Sequence, residues 1–278
     1  MPNPHTIFYE KYPMPVFYIY ALPFHKNKTQ QHNFAPSKLP STPKPQNMKT
    51  TVISDIHGRP DWKEIINLET NTNLFVFLGD YFDSFNIPAS DQITNFYDII
   101  DFKKQNPDKV ILLTGNHDMH YLPHYINAGE HYSGFQAARA FDISHLLQTN
   151  LSNLQMAHQT GNFLFTHAGV TKSWLSNNNF EPTQPITTFL NDLLQHKPAS
   201  FAFVGYDPYG NSVHSSPIWV RPESLMQDAY QKGELKQVVG HTVFKNITVV
   251  NNNFFFTDAQ ETRQYLTITD EHYQVHTY

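Results

Sequence analysis

The chain contains no cysteine. Disulfides, iron–sulfur clusters and thiolate zinc sites are therefore excluded, and any metal must rest on nitrogen and oxygen. The same absence agrees with the reducing cytoplasm, where we expect the protein to act. Long apolar runs are missing too. No stretch approaches the roughly 18 residues that a membrane span requires, and we expect no membrane partner. The most apolar early segment, residues 16–22, is short and bounded by Pro15 and Pro23, so it reads as neither a membrane helix nor a signal peptide. Positive charge is scarce: 19 Lys and Arg stand against 24 Asp and Glu, a net charge of −5. That balance lacks the basic footprint of a nucleic-acid binder.

What is present fits a soluble globular protein. The 278 residues, 40% of them apolar and 15% charged, suffice for one large domain with its own core. Nine of the 19 prolines fall within residues 1–47, and from Lys26 onward that segment is polar and without periodicity. It reads as a disordered or loosely packed N-terminal extension. Met48 precedes the first convincing strand and offers an alternative start of translation. Residues 48–278 form the expected catalytic domain.

Within that domain, short apolar runs at 51–54, 74–78, 110–113 and 163–166 suit buried strands. Helical spacing spans 61–68 and 90–106, with Ser90 as the N-cap and Pro107 as the stop. A broken helical region spans about 135–156. Strands are expected at 238–240, 247–250, 254–257, 265–269 and 273–277. Alternating strands and helices before a strand-rich tail predict an α/β core, or an α+β variant of it, with a mixed sheet.

Sixteen histidines invite a search for metal ligands. Five short motifs each sit just past a predicted strand, where ligand sites form in open α/β sheets. They are Asp55-Ile56-His57-Gly58, Gly79-Asp80-Tyr81-Phe82-Asp83, Gly115-Asn116-His117-Asp118, Thr166-His167-Ala168-Gly169 and Gly240-His241-Thr242. A lone strand-end histidine is usually an ordinary polar residue, and a lone Gly-Asp is usually a turn. Five in one chain offer three histidines, two aspartates and an asparagine, a donor set suited to a pair of divalent first-row ions.

In this order the motifs resemble the calcineurin-like metallophosphoesterase superfamily, over about residues 50–258. The single histidine of Gly240-His241-Thr242 is similar to the branch of Ser/Thr phosphoprotein phosphatases and symmetrical diadenosine tetraphosphatases. The resemblance implies a four-layer αββα sandwich with mixed sheets and a phosphoric ester hydrolase with a binuclear metal centre. Asp55, His57 and Asp80 would hold one ion, Asp80 would bridge, and Asn116, His167 and His241 would complete the second site. Manganese is expected first, with iron, zinc or nickel as alternatives. A water held by two cations loses its proton near neutral pH and attacks directly. His117 would be the general acid, oriented and kept charged by Asp83, while Arg221 and Asn116 would bind the phosphate.

Departures from that branch bear on substrate. Its phosphatases usually continue the second motif with Arg-Gly, and here Ser84-Phe85 follows. Thr114 stands where they tend to carry an arginine, and Asp118 replaces their glutamate. Arg59 is read as a solvated loop residue. The expected substrate is a phosphomonoester, whether a phosphoprotein or a small phosphorylated molecule. A diadenosine tetraphosphatase-like nucleotide or pyrophosphate hydrolase is the alternative. An inactive metal-binding scaffold is opposed by the intact His117, Asp83 and six ligand positions. A nucleic-acid phosphodiesterase is opposed by the acidic balance.

The remaining candidates receive modest readings. His120, His124 and His131 read as a polar surface helix and loop, and Asp258 as a partner of His241. Phe254, Phe255, Phe256, Tyr265 and Tyr273 read as core. Residues 205–211 are rich in turn formers and read as a loop, either at the site or on the plain surface.

Overall fold

The computed structural model describes residues 48–128, 132–207 and 209–278, the side chains of 126–128 excepted. The expected N-terminal extension and His131 lie outside the described residues. The strands are β1 (Lys49–Ile53), β2 (Leu74–Phe77), β3 (Val110–Leu113), β4 (Leu154–Gln155), β5 (Ala157–Thr160), β6 (Phe163–Thr166), β7 (Lys236–Val239), β8 (Thr248–Val250), β9 (Phe254–Phe256), β10 (Gln264–Thr269) and β11 (His272–Thr277). The helices are α1 (Trp62–Leu68), α2 (Ala89–Gln105), α3 (Asn116–Met119), α4 (Pro123–Ala128), α5 (Ala140–Thr149), α6 (Lys172–Asn177), α7 (Ile186–His196) and α8 (Pro222–Asp228).

Two mixed sheets result. One has the order β11-β10-β1-β2-β3-β4, and the other β5-β6-β7-β9-β8. In the first, β1 to β4 run parallel and the C-terminal hairpin β10–β11 adds antiparallel to β1. In the second, β6, β7 and β9 run parallel and both edge strands are antiparallel. The tail strands expected in sequence are thus shared between two sheets.

Strand alternation explains the layering. Val52, Val76, Ile111 and Leu113 of the first sheet cluster with Phe163, Phe165, Val238 and Phe255 of the second, so these faces pack on each other. Residues of opposite parity, Ile53, Phe75, Phe77 and Leu112, turn to the helices, among them Phe96 and Ile99 of α2 and Leu146 of α5. On the second sheet, Val239, Phe254 and Phe256 face Leu225 of α8. All four residues of β2, β3 and β6 are buried, which is why they appear as unbroken apolar runs. The four-layer αββα expectation is met.

Three local expectations need correction. Helix α2 starts at Ala89 with Pro88 as N-cap, and Ser90 lies inside the first turn, where its hydroxyl donates to Asp91 at 3.1 Å. Pro88, with φ −54° and ψ 143°, supplies the non-helical entry that a cap requires. The region 135–156 is helical only over 137–149 and a short 151–153 turn before it becomes β4. Tyr273, read as core, lies 42% exposed on the edge strand β11, while Phe254, Phe255, Phe256 and Tyr265 are buried as expected.

Candidate metal centre

All five motifs lie at the C-terminal ends of neighbouring parallel strands: β1, β2 and β3 in one sheet, β6 and β7 in the other. The chain leaves these strands sharply. Asp55, His57, Asp80, Asp83 and His241 all have positive φ, between 38° and 71°. Non-glycine residues held there cost of order 1–3 kcal/mol each and persist only where their surroundings fix them. Here neighbouring loops fix one another. The amides of His57 and Gly58 donate to the carbonyls of Asp80 and Tyr81 at 2.7 and 2.9 Å. The Asp118 carboxylate accepts from the amides of Asp80 and Tyr81 at 2.8 Å each and of Gly115 at 2.9 Å, tying the second motif to the third. The His241 amide donates to Asp55 Oδ1 at 3.0 Å, which ties the fifth motif to the first. Glycine is required twice for close approach, because a Cβ on Gly115 would overlap the Asp80 carboxylate and one on Gly240 that of Asp55.

Each motif histidine facing the centre turns one ring nitrogen to a backbone carbonyl. His57 Nδ1 lies 2.7 Å from the Phe82 carbonyl, His167 Nδ1 2.8 Å from that of Leu78, and His241 Nε2 3.2 Å from that of Trp219. A carbonyl can only accept, so those nitrogens carry protons and the opposite ring nitrogens are the ones turned to the centre. There they meet more acceptors. His167 Nε2 lies 3.3 Å from Asp80 Oδ2 and 2.9 Å from Asn116 Oδ1, His241 Nδ1 lies 3.0 Å from Asn116 Oδ1, and His57 Nε2 is 3.8 Å from Asp80 Oδ2. A cation among them would be met by these nitrogens and oxygens together, and the outward N–H···O=C bonds are the usual support of metal-ligating histidines.

Electrostatics point the same way. Burial pushes the Asp55 carboxyl up, and the charge of Asp80 adds to the shift. Asp258 is pushed up to about 8 by burial and by the charges of Asp55 and Asp80. Crowded buried carboxylates call for positive charge. At His167 burial opposes a proton, but Asp80 outweighs it and raises the ring to about 9, so a bound cation would take the place of the proton on its inner nitrogen. His241 is held well below the ordinary range by burial and by the charges of His167 and Arg221, which leaves its inner nitrogen unprotonated. Ligating atoms of Asp55, Asp80 and His167 lie within 4.8 Å of one another. This set of carboxylates, imidazoles and one amide oxygen fits divalent first-row ions.

Beside it stands a second cluster. His117 Nδ1 lies 2.8 Å from Asp83 Oδ2, and the His117 amide donates to Asp80 Oδ1 at 2.9 Å. Asp83 Oδ1 accepts from the Tyr121 hydroxyl. His120 corrects its surface reading: it is fully buried, with Nε2 2.6 Å from Asp83 Oδ2 and its ring stacked on Tyr132. Its Nδ1 accepts from the Tyr132 amide at 3.3 Å, which leaves the Nε2 proton for Asp83. Burial would raise the Asp83 carboxyl, but hydrogen bonds from His117, His120 and Tyr121 outweigh it and keep the group low. Burial likewise opposes charge on His117, yet Asp80 and Asp83 raise it above the ordinary imidazole value. The spacing of His117 and His120, three residues apart on one turn, was the available signal for this cluster.

Arg221 is half-buried, held by the Tyr209 carbonyl at 2.9 Å and the Thr242 hydroxyl at 3.0 Å, and its amide donates to the Gly210 carbonyl. Tyr209 and Gly210 therefore brace the arginine beside His241. Asp258 is not the partner of His241, whose ring nitrogens face Trp219 and Asn116. Arg59 is half-buried, lining a small cavity behind Asp55 rather than standing in solvent. His124 is exposed as read.

Residues 48–244 match the family described as calcineurin-like phosphoesterase. Among solved structures, a protein serine/threonine phosphatase from Saccharomyces cerevisiae with similarity to human phosphatase PP5 superposes with a TM-score of 0.54 at 14% identity, covering 83% of this chain and 79% of that one. A metallophosphoesterase from Sphaerobacter thermophilus gives a TM-score of 0.30 at 15% identity over 49% of this chain and 56% of that one. No curated protein matches the chain.

Proposed function

The chain belongs to the calcineurin-like phosphoesterase family, and from that premise we propose a binuclear metal-dependent hydrolase of phosphate monoesters, in the manner of Ser/Thr phosphatases. The observation that carries this reading is the set of three histidines, each donating outward to a carbonyl and presenting its other nitrogen to Asp80 or Asn116. Asp55, His57 and Asp80 would hold one ion and Asn116, His167 and His241 the other, with Asp80 shared. The ions, manganese first among the candidates, would supply Lewis acidity toward the phosphoryl oxygens and acidify water near neutral pH.

The chain's own residues do the rest. Arg221 presents a planar fork to the phosphoryl oxygens, with Asn116 beside it, and its anchors on Tyr209 and Thr242 fix its direction. As the ester P–O bond breaks, its electron pair passes to the leaving oxygen, and the oxygen of water forms the new bond to phosphorus. His117 gives its Nε2 proton to that leaving oxygen, while its Nδ1 keeps its proton and donates it in a hydrogen bond to Asp83. His120 and Tyr121 hold Asp83 as a carboxylate in one orientation, so His117 keeps its proton near neutral pH. Ser84 is uncharged and offers no substitute for a second phosphate-binding arginine; its hydroxyl accepts from the amides of Asn86 and Ile87. A cytoplasmic location is part of the same proposal. Among the described residues no helix is long and apolar enough to cross a membrane.

The test is hydrolysis by manganese-loaded protein of para-nitrophenyl phosphate, its bis-ester, a phosphoserine peptide and diadenosine tetraphosphate. Preference for the monoesters is expected. Preference for the dinucleotide would replace this reading with the pyrophosphatase alternative. No turnover with any divalent ion would leave a metal-binding scaffold.

A further inference from the structure

Three donors converge on Asp83, and only one of them is the proposed acid. His117 Nδ1 and His120 Nε2 lie 2.8 and 2.6 Å from the same oxygen, Oδ2, while the Tyr121 hydroxyl donates to Oδ1. The carboxylate is buried, and so are His120 and Tyr121. The short helix α3 carries His117 and ends on His120, its C-cap, which brings both rings to one carboxylate.

The two outer donors are held from behind by the backbone of residues 132–136. The Tyr132 amide donates to His120 Nδ1 at 3.3 Å, and the Gln136 amide donates to the Tyr121 hydroxyl at 2.7 Å. An amide N–H can only donate, so Nδ1 of His120 is the bare nitrogen and Nε2 carries the proton. The Tyr121 hydroxyl, having accepted from Gln136, turns its own proton to Asp83. Aromatic rings close round His120: Tyr132 stacks on it at 5.4 Å, and Tyr121 and Phe135 stand perpendicular to it at 4.5 and 5.0 Å. In so packed a site the imidazole cannot flip without displacing them.

This arrangement excludes one use of the cluster. Atoms of Asp83, His117 and His120 lie close enough together to hold a further cation. A cation there would need His120 Nε2 stripped of the ring's one proton, since Nδ1 is already taken by the Tyr132 amide. Burial also opposes charge on His120, so it serves Asp83 as a neutral donor and sets no second positive charge beside His117. A buried carboxylate with a single partner would draw the Nδ1 proton of His117 to itself. Two further hydrogen bonds to its ionised form leave that proton on the imidazole.

We infer that His120 is a positioning residue of the leaving-group step: through Asp83 it keeps the Nδ1 proton on His117, whose Nε2 proton goes to the departing oxygen. The inference rests on the proposed role of His117 as general acid. It gives His120 no part in holding metal or in the attack of water, so the contribution of His120 depends on the ester. A simple phenoxide leaves as a proton arrives, whereas a dinitrophenolate is stable enough to leave as the anion.

The experiment compares kcat and KM of the manganese-loaded full chain for phenyl phosphate and 2,4-dinitrophenyl phosphate. His120→Met and His120→Gln are matched in length and differ in the amide donor. His120→Met should lower kcat for phenyl phosphate by about 10–100-fold, with KM and bound manganese little changed. With the dinitrophenyl ester most of that loss should disappear. His120→Gln, which can still donate to Asp83, should recover much of the rate on phenyl phosphate. His120→Leu repeats the test if the methionine variant does not fold. Equal losses on both esters, or equal rates of the two variants on phenyl phosphate, would overturn the inference and leave the hydrolase reading standing. Depletion of manganese in His120→Met would also overturn it, by giving His120 a place in the metal centre. No turnover of either ester by the unaltered chain with any divalent ion defeats the hydrolase reading, and the inference falls with it.

Discussion

Between the sheets, Val76, Phe165, Val238 and Phe255 are fully buried, each in a strand whose backbone bonds are all made within the sheet. A few residues further along the same parallel strands, Asp80 and His167 are just as deeply buried, but as charged or ionisable groups, and Asp80 holds a left-handed backbone. Each apolar side chain below contributes about 1.5–3 kcal/mol. The loops above spend stability on strain and on like charges held together. The difference teaches that the strand ends are not a continuation of the core but a strained rim kept in place by it.

The largest break in this comparison should come from Asp80→Asn. It removes the shared carboxylate and should lower activity by about a thousandfold or more, with loss of tightly bound manganese measured by elemental analysis. The apolar interface should survive, so the melting temperature of the chelated protein should fall little. His117→Asn should follow, with turnover reduced by about 10²–10⁴-fold and both ions retained. Full turnover in that variant would remove His117 from the mechanism.

Phe255→Ala sharpens the other half. A cavity between the sheets should cost about 3–5 kcal/mol in denaturant unfolding, while kcat at a temperature well below melting stays near that of the wild type. The smallest effect belongs to the end of α1, where it meets β1 and β10. There Glu69 accepts from the Lys49 ammonium at 2.5 Å and from the Tyr265 hydroxyl at 2.8 Å. Burial would raise the Glu69 carboxyl, but these bonds lower it below the ordinary value. A depressed carboxylate contributes stability that is present above its unfolded pKa and is lost as pH falls through the folded one. Glu69→Gln should therefore cost about 1 kcal/mol near neutral pH, and the deficit should shrink once pH drops below about 4. An equal deficit at both pH values would mean that packing, not charge, is lost.

Much of the rim was legible beforehand because its parts are local. A buried parallel strand is an apolar run, and the Gly-Asp or Gly-His that follows marks where the chain turns. β3 and β6 appear at the expected residues, and β2 one residue shorter. What was missed depended on contacts between distant segments. His120 looked like one more polar residue after Gly115-Asn116-His117, and only the fold buries it between Asp83 and Tyr132. Asp258 follows a strand, where a carboxylate could brace the ring of His241, yet the Trp219 carbonyl, 22 residues before His241, occupies that place. Helix α7 carries buried Ile186, Phe189, Leu190 and Leu194 at helical spacing, a pattern that the prolines at 182 and 185 mask in the sequence.

By itself, then, the sequence determined the donor types, their order along the chain and the strand ends that carry them, because those follow from residue chemistry and short-range periodicity. The tertiary structure alone decided which ring nitrogen of each histidine faces the centre and that His120 and Tyr121 serve Asp83. Each of these depends on a carbonyl, carboxylate or aromatic ring brought from a remote part of the chain, and no local pattern encodes such a meeting.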